Sequence, residues 1–142
     1  MRFTCTGQYP PEECRELILF ASCGVGKRGV SVALVPAKRS FSGLTRPDGT
    51  IRLRMGPKGT LRPAVPSTRA LRRILPTIPC RDWRDVLVFL AAHEFRHLAQ
   101  YRGAAPACCP RCGEQDAEEH AIRMLNAWRR RTGRSPIAAG NP

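Results

Sequence analysis

Three residues of this chain have types and spacing suited to chemistry: His93, Glu94 and His97 form the pattern H-E-x-x-H. Helical residues four apart share a face, so both imidazoles can bind one Zn²⁺. Glu94 borders that face and can act as general base toward a metal-bound water. The alternative is a pair of core histidines satisfied by hydrogen bonds. We favour the metal site because two of only three histidines fall at this spacing around a glutamate.

The motif follows a segment that predicts a buried helix. Residues 86–92 are apolar nearly all round, which is typical of a core helix, and the run is too short to span a bilayer. Asp82 is a suitable N-cap, and Gly103 is a suitable residue to end the helix. The sequence therefore places the motif directly after the buried part of this helix.

A catalytic zinc site usually has a third protein ligand, and the last predicted helix, residues 114–131, is its obvious source. The small side chains of Ala117 and Ala121 mark the face that approaches the motif helix. Continued backwards, this face includes Glu114. We therefore predict Glu114 as the third ligand.

Other residues of the same helix remain in consideration. Asp116 is the alternative third ligand, because helix phase is uncertain near an end, and His120 is a weaker choice. Glu118 is predicted to accept the second ring N–H of a zinc-bound histidine, a role that such sites need. Acidic residues at a helix N-terminus also interact favourably with the helix dipole, which alone could explain their presence.

The motif His93-Glu94-x-x-His97 followed by Glu114-x-x-Ala117-Glu118 resembles the H-E-x-x-H … E-x-x-A-[DE] arrangement of gluzincin-type zinc metallopeptidases. Its spacing is similar to that of the minimal ImmA/IrrE-like and phage- or mobile-element-associated members. The resemblance covers residues 83–128, about a third of the chain. SprT-like metalloproteases also carry H-E-x-x-H, but their third histidine comes from a pattern that this sequence lacks.

The resemblance implies a zincin-like α+β fold, with a small twisted antiparallel sheet packed on the active-site helix and the C-terminal helix. It also implies a zinc-dependent endopeptidase with Glu94 as general base. Tyr101 and Arg96 are available to stabilise an oxyanion. An edge strand of the sheet would bind the substrate backbone by strand addition.

A β-hairpin is predicted over residues 41–55, with turn chemistry at Asp48-Gly49. In its second strand Ile51, Leu53 and Met55 alternate with arginines, so one side covers a core. We expect this strand, from Ile51 to Met55, to be the edge that binds protein or peptide substrate.

Length and composition limit the domain organisation, the alternative function and the cellular location. The 142 residues fit one domain, which we assign to residues 1–131, with residues 132–142 as a disordered tail. Of 24 basic residues 21 are arginine, and the net charge is +13. A non-catalytic, metal-stabilised module that binds nucleic acid or protein is therefore the alternative function. No signal peptide or membrane span is predicted, so we expect a cytoplasmic protein.

Seven cysteines cannot all form internal disulfides. Cys108, Cys109 and Cys112 stand out, because they include the C-P-x-C-G sequence of a zinc knuckle. A closed zinc site needs four ligands, and Cys80 or His120 could supply the fourth. We favour free thiols or a redox-sensitive pair over a second zinc site.

Overall fold

In the computed structural model, the protein is described over residues 1–38, 40–60, 65–66, 68–75 and 77–137. Within these ranges the chain combines four strands with four α-helices, which confirms the α+β class. In chain order the elements are β1 (Arg2–Cys5), α1 (Pro11–Ala21), β2 (Ser31–Pro36), β3 (Ser42–Thr45), β4 (Thr50–Met55), a 3-10 turn (Lys58–Thr60), α2 (Arg69–Ile74), α3 (Trp83–Tyr101) and α4 (Pro110–Arg131).

The sheet is mixed, and its strand order is β1-β2-β4-β3. β1 and β4 both run parallel to β2, and only β3 and β4 are antiparallel. The expected wholly antiparallel sheet is therefore wrong. Helix α1 connects β1 to β2, and a helical crossover is what allows two successive strands to lie parallel.

The predicted hairpin is confirmed as β3 and β4. Asp48 Oδ1 accepts a hydrogen bond from the Thr50 N–H at 2.8 Å, and Gly49 has φ +91°, which suits glycine. The expectation that β4 is an edge strand is wrong, because β4 lies between β2 and β3. The edge on that side of the sheet is β3.

Helix α3 lies at the centre of the molecule. It packs against α1, α4 and strands β3 and β4. Residues 86–92 are all buried, which confirms the predicted core helix. The Asp82 carboxylate accepts hydrogen bonds from the N–H groups of Arg84 and Asp85 at 3.1 Å each, so the predicted N-cap is also confirmed. None of the described helices is long and apolar enough to cross a membrane.

Helix α4 begins one turn earlier than predicted, at Pro110, with Cys109 as its N-cap. Proline is well suited to a first helical position, because its missing N–H would have no partner there. Glu114 therefore lies in the second turn of α4. Cys112 lies inside the helix and not in a knuckle-like turn.

A buried ion pair joins the start of α3 to the end of α4. Asp85 is fully buried, and its Oδ2 accepts hydrogen bonds from Nε and Nη2 of Arg129 at 3.1 and 2.7 Å. Arg134 adds ion pairs to Asp85 at 3.3 Å and to Asp82 at 2.8 Å. Burial raises the pKa of Asp82, but hydrogen bonds and nearby arginines outweigh it and hold that pKa below its ordinary value.

The start of the predicted tail is packed against the domain. Besides the two ion pairs of Arg134, the Ile137 N–H donates to Asn126 Oδ1 at 2.6 Å, and Ile137 is buried. The predicted disordered tail is therefore wrong for residues 132–137. Residues 138–142 lie outside the described part of the chain.

Candidate metal centre

Two helices bring His93, His97 and Glu114 together. The histidines lie one turn apart on α3, and Glu114 faces them from α4. The two Nε2 atoms are 3.0 Å apart. Glu114 Oε1 lies 3.2 Å from Nε2 of His97, and Oε2 lies 3.5 Å from Nε2 of His93. The three residues predicted from the sequence as ligands thus form one cluster, whose ligand atoms all lie within 4.8 Å of one another.

The spacing of these atoms fits a small metal ion. Ligand atoms bound to one tetrahedral Zn²⁺ at about 2.0–2.1 Å lie about 3.3–3.4 Å apart, and the three measured separations lie close to that value. Two imidazole nitrogens and one carboxylate are also a donor set that catalytic zinc sites use. The cluster can therefore hold a metal ion.

A chain of hydrogen bonds orients His97. Gln100 Oε1 lies 2.8 Å from Nδ1 of His97. The amide nitrogen of Gln100 donates to the Gly113 carbonyl at 2.9 Å and to Asp116 Oδ2 at 3.0 Å, which fixes the orientation of the amide. Nδ1 of His97 must then carry the proton, and the lone pair of Nε2 faces the cluster. Arg96 completes the chain with two hydrogen bonds to Asp116, at 2.6 and 3.0 Å.

His93 has no comparable support. Its Nδ1 is buried and has no hydrogen-bond partner among the described residues. Burial lowers the pKa of His93, but a hydrogen bond to Glu114 and the charges of Glu94, Glu114 and Glu118 outweigh it, so the pKa lies above its ordinary value. The ring is therefore surrounded by negative charge, which also favours a bound cation.

Glu118 does not have its predicted role. Its Oε2 accepts hydrogen bonds from the backbone N–H and hydroxyl of Thr68, at 3.3 and 3.0 Å, whereas Gln100 occupies Nδ1 of His97. Glu118 is nearly fully buried and ties α4 to the residue before α2. It contributes charge near His93 and no hydrogen bond to either Nδ1.

Glu94 is held against strand β3. Its Oε2 accepts a hydrogen bond from the Thr45 hydroxyl at 2.6 Å, and the same hydroxyl lies 3.0 Å from the Glu94 carbonyl. A Cβ atom built on Gly43 would lie 2.2 Å from Glu94 Oε1. Only glycine therefore leaves room for the carboxylate in this position.

The other residues predicted near the site are not ligands of this cluster. Asp116, the alternative third ligand, is engaged by Arg96 and Gln100. His120 is not part of the cluster, and burial together with Arg96 and Arg123 lowers its pKa. Because Arg96 is paired with Asp116, it is not free to stabilise an oxyanion, whereas Tyr101 is exposed.

A second cluster lies beside the first. Sγ of Cys109 and Sγ of Cys112 are 2.7 Å apart, and the Sγ of Cys108 belongs to the same group. The contact between the two thiols lowers the pKa of Cys109 and raises that of Cys112 to about 12. Among the described residues, neither Cys80 nor His120 joins this cluster, so the suggested fourth ligands are wrong.

A cavity of about 490 Å³ borders both clusters. His97 and Glu114 of the first cluster and Cys108 and Cys109 of the second are among the residues that line it. Tyr101 also contributes to the wall. A molecule in this cavity can therefore reach both the histidine–carboxylate cluster and the thiols.

Sequence reasoning missed Gln100, Thr45 and Gly43. Gln100 could have been predicted from the sequence, because it lies three residues after His97 and shares its helix face. Thr45 and Gly43 carried no such signal, since their role depends on the docking of β3 against α3.

No protein family, curated protein or solved structure matches this chain.

Proposed function

We propose that this protein is a zinc-dependent endopeptidase. The observation that supports the proposal is the convergence of Nε2 of His93, Nε2 of His97 and the Glu114 carboxylate, with Glu94 held next to His93 on the same helix. Two imidazoles and one carboxylate suit Zn²⁺ better than the harder ions Mg²⁺ and Ca²⁺, which prefer oxygen ligands.

Zinc held by these three residues would supply an activated water near neutral pH and would polarise the scissile carbonyl. The protein side chains transfer the proton and orient the catalytic groups. Glu94 accepts the proton of the attacking water on its carboxylate and passes it to the leaving amine. The Thr45 hydroxyl holds Oε2 of Glu94, so the carboxylate keeps one orientation through both transfers. Gln100 keeps the lone pair of His97 Nε2 directed at the cluster.

Strand β3 is the place where we propose that substrate binds. It is an edge of the described sheet, and both Gly43 and Thr45 touch Glu94. A peptide added to this edge would run beside the carboxylate that handles the proton. We place this activity in the cytoplasm, because seven cysteines cannot all pair in internal disulfides and thiols stay reduced in that compartment.

Metal analysis and a peptide-cleavage assay on matched variants test the proposal. Wild-type protein is expected to bind stoichiometric zinc in this cluster and to cleave an unstructured protein substrate. Glu94→Gln should keep the zinc and lose at least about 10²-fold in rate, as expected for loss of a general base. His97→Ala should lose the zinc of this cluster. His120→Ala is the control, because this third histidine lies outside the cluster.

Two results would contradict the proposal. One is a wild-type protein whose zinc content is unchanged by His97→Ala. The other is a Glu94→Gln variant that cleaves as fast as the wild type while retaining its zinc.

The open face of the sheet favours a second candidate function, binding of duplex nucleic acid. Val32, Leu34, Ile51, Leu53 and Met55 face the helices, so the alternate residues point away from them. Arg52 and Arg54 are exposed on this second face, where they lie beside Ala33 and Val35, their register partners on β2. Residues 17–81 hold 13 basic residues and one acidic residue. They therefore carry almost all of the net charge.

Charge complementarity with phosphates supports this candidate, and the absence of aromatic side chains from strands β2, β3 and β4 argues against base stacking on single strands. Duplex binding is expected to weaken with salt, with a slope of about 0.9 per phosphate contacted. Replacing Arg52 and Arg54 with glutamine should reduce that slope, whereas replacing Arg130 and Arg131 should not. Equal slopes in the two double variants would exclude the sheet face.

A further inference from the structure

The three cysteines at the start of α4 form a compact group of thiols. Cys109 is the N-cap residue, Cys112 follows one turn later, and Cys108 precedes the helix. Their sulfur atoms all lie within 4.8 Å of one another, and the three residues are exposed. Thiols that pack as small apolar groups are normally buried, so core packing does not explain this group.

We propose that Cys108, Cys109 and Cys112 form a second metal site, separate from the histidine–carboxylate cluster, which binds a thiophilic d¹⁰ ion, Cu(I) or Zn(II). Soft thiolate ligands select such ions. Sulfur atoms that bind one ion at about 2.3 Å lie up to about 4 Å apart, and the three sulfurs of this group lie within 4.8 Å of one another. On binding, each S–H gives its proton to solvent and forms an S–metal bond, so no oxidant or reductant is required.

The number of ligands bears on which ion is held. Zinc prefers four ligands, and the described residues supply three sulfurs here. Cu(I) is satisfied by three thiolates, whereas Zn(II) would take its fourth ligand from solvent. The site faces a cavity of about 490 Å³, which leaves room for that ligand.

The location of the site gives the metal a structural consequence. An ion bound by Cys108 and Cys112 would link the segment before α4 to the first turn of that helix. Glu114 lies two residues after Cys112 and on the wall of the same cavity. A filled thiolate site would therefore fix the part of α4 that carries Glu114.

Metal stoichiometry in four variants tests the proposal. Reduced wild-type protein, saturated with either Zn(II) or Cu(I) and desalted, should hold one more ion per chain than Cys109→Ser for the ion that the site prefers. His97→Ala should retain the ion of the thiolate site, and the double variant should retain neither. Cys23→Ser is the control, because Cys23 is exposed but lies outside the cluster. Equal metal content in wild type and Cys109→Ser, found both after loading with Zn(II) and after loading with Cu(I), would overturn the proposal.

Two further readouts identify the ligands and the ion. Cobalt-loaded protein should show sulfur-to-metal charge-transfer absorption in wild type and in His97→Ala, but not in Cys109→Ser. Titration of Cu(I) against a chromophoric chelator should give one tight equivalent that the same cysteine variant loses. Tight Cu(I) binding with weak zinc retention assigns the site to copper, and the reverse assigns it to zinc.

Thiol labelling covers the case in which a serine variant does not fold. In wild-type protein, added metal should protect Cys108, Cys109 and Cys112 from alkylation, while Cys23 continues to react. Unprotected thiols at saturating metal would overturn the proposal, as would a Cys109–Cys112 disulfide found in the reduced preparation. His97→Ala removes only the histidine–carboxylate cluster. Failure of the proposed peptidase site and failure of the thiolate site therefore give different patterns of metal content across the variants.

Discussion

Adding one methyl group to Gly43 should damage the proposed catalytic site without removing its metal. A Cβ atom at this position would lie 2.2, 2.4 and 2.5 Å from Oε1, Cδ and Cγ of Glu94. Ordinary van der Waals contact requires the carboxylate or the strand to move by about 1 Å. Alanine is otherwise favoured over glycine in a strand by about 0.5–1 kcal/mol. The contact with Glu94 therefore determines whether the substitution stabilises or destabilises the protein.

Overpacking of this kind costs about 1–3 kcal/mol, so we expect Gly43→Ala to lower the free energy of unfolding by about 1–2 kcal/mol. A misplacement of about 1 Å in a catalytic group can cost about 10²-fold in rate. Zinc affinity should stay within a few-fold of wild type, because the ligands lie on α3 and α4. Chemical denaturation, metal analysis and the peptide-cleavage assay measure these three quantities.

A matched control and a compensating change sharpen the experiment. Ser42→Ala alters the same strand at an exposed position and should leave stability and rate near wild type. Glu94→Asp shortens the side chain that meets the new methyl group. The double variant with Gly43→Ala should thus be more stable than the sum of the two single effects. A Gly43→Ala protein that is as stable and as active as wild type would refute the reasoning.

Three further predictions concern side chains that orient His97 or stabilise the N-terminal end of helix α3. Gln100→Leu removes the acceptor at Nδ1 of His97 and should weaken zinc binding by about 10–100-fold, measured by competition with a chelator. Arg129→Met leaves the fully buried Asp85 short of its main partner and should cost about 3–5 kcal/mol in urea unfolding. Asp82→Asn keeps an N-cap residue but removes a carboxylate whose pKa is lowered in the folded state. Wild type should therefore be the more stable protein above about pH 4, and the difference should vanish as the pH falls through the folded-state pKa.

The results that would count against these predictions are distinct. Unchanged zinc affinity in Gln100→Leu would mean that His97 needs no outer partner. A neutral Arg129→Met variant would mean that Arg134 alone compensates Asp85. For Asp82→Asn, a stability difference that does not shrink at all as the pH falls below about 4, the ordinary pKa of an aspartate, would show that its origin is not the charge.

Local sequence patterns were sufficient to predict helix α3 and the β3–β4 hairpin. A long apolar run with an aspartate cap fixes the helix, and alternation with an Asp-Gly turn fixes the hairpin. The order of the strands was not predictable in the same way. It depends on two pairings. Helix α1 serves as a crossover that lets β2 lie parallel to β1, and β4 pairs with β2 although β3 separates them in the sequence. Neither pairing leaves a periodicity in the sequence.

The prediction of Glu114 depended on helix phase and not on where α4 begins. The helix starts four residues earlier than expected, yet Ala117 and Ala121 are both fully buried, so the face assigned to α3 was the correct one. Glu114 lies one turn before Ala117 on that face. Asp116 is rotated away from the cluster and meets Arg96. The residues that hold Glu94 could not be predicted, because they come from β3.

The two histidines of the cluster are supported unequally, and this affects how the site should respond to metal. His97 is fixed by Gln100, which is in turn fixed by Gly113 and Asp116. His93 Nδ1 has no hydrogen-bond partner in the described part of the chain, so packing and the Glu114 carboxylate determine the orientation of its ring. Binding of a cation would replace the contact with Glu114 by a shared ion. We therefore expect the ring of His93 to be ordered by the metal and that of His97 to be ordered without it.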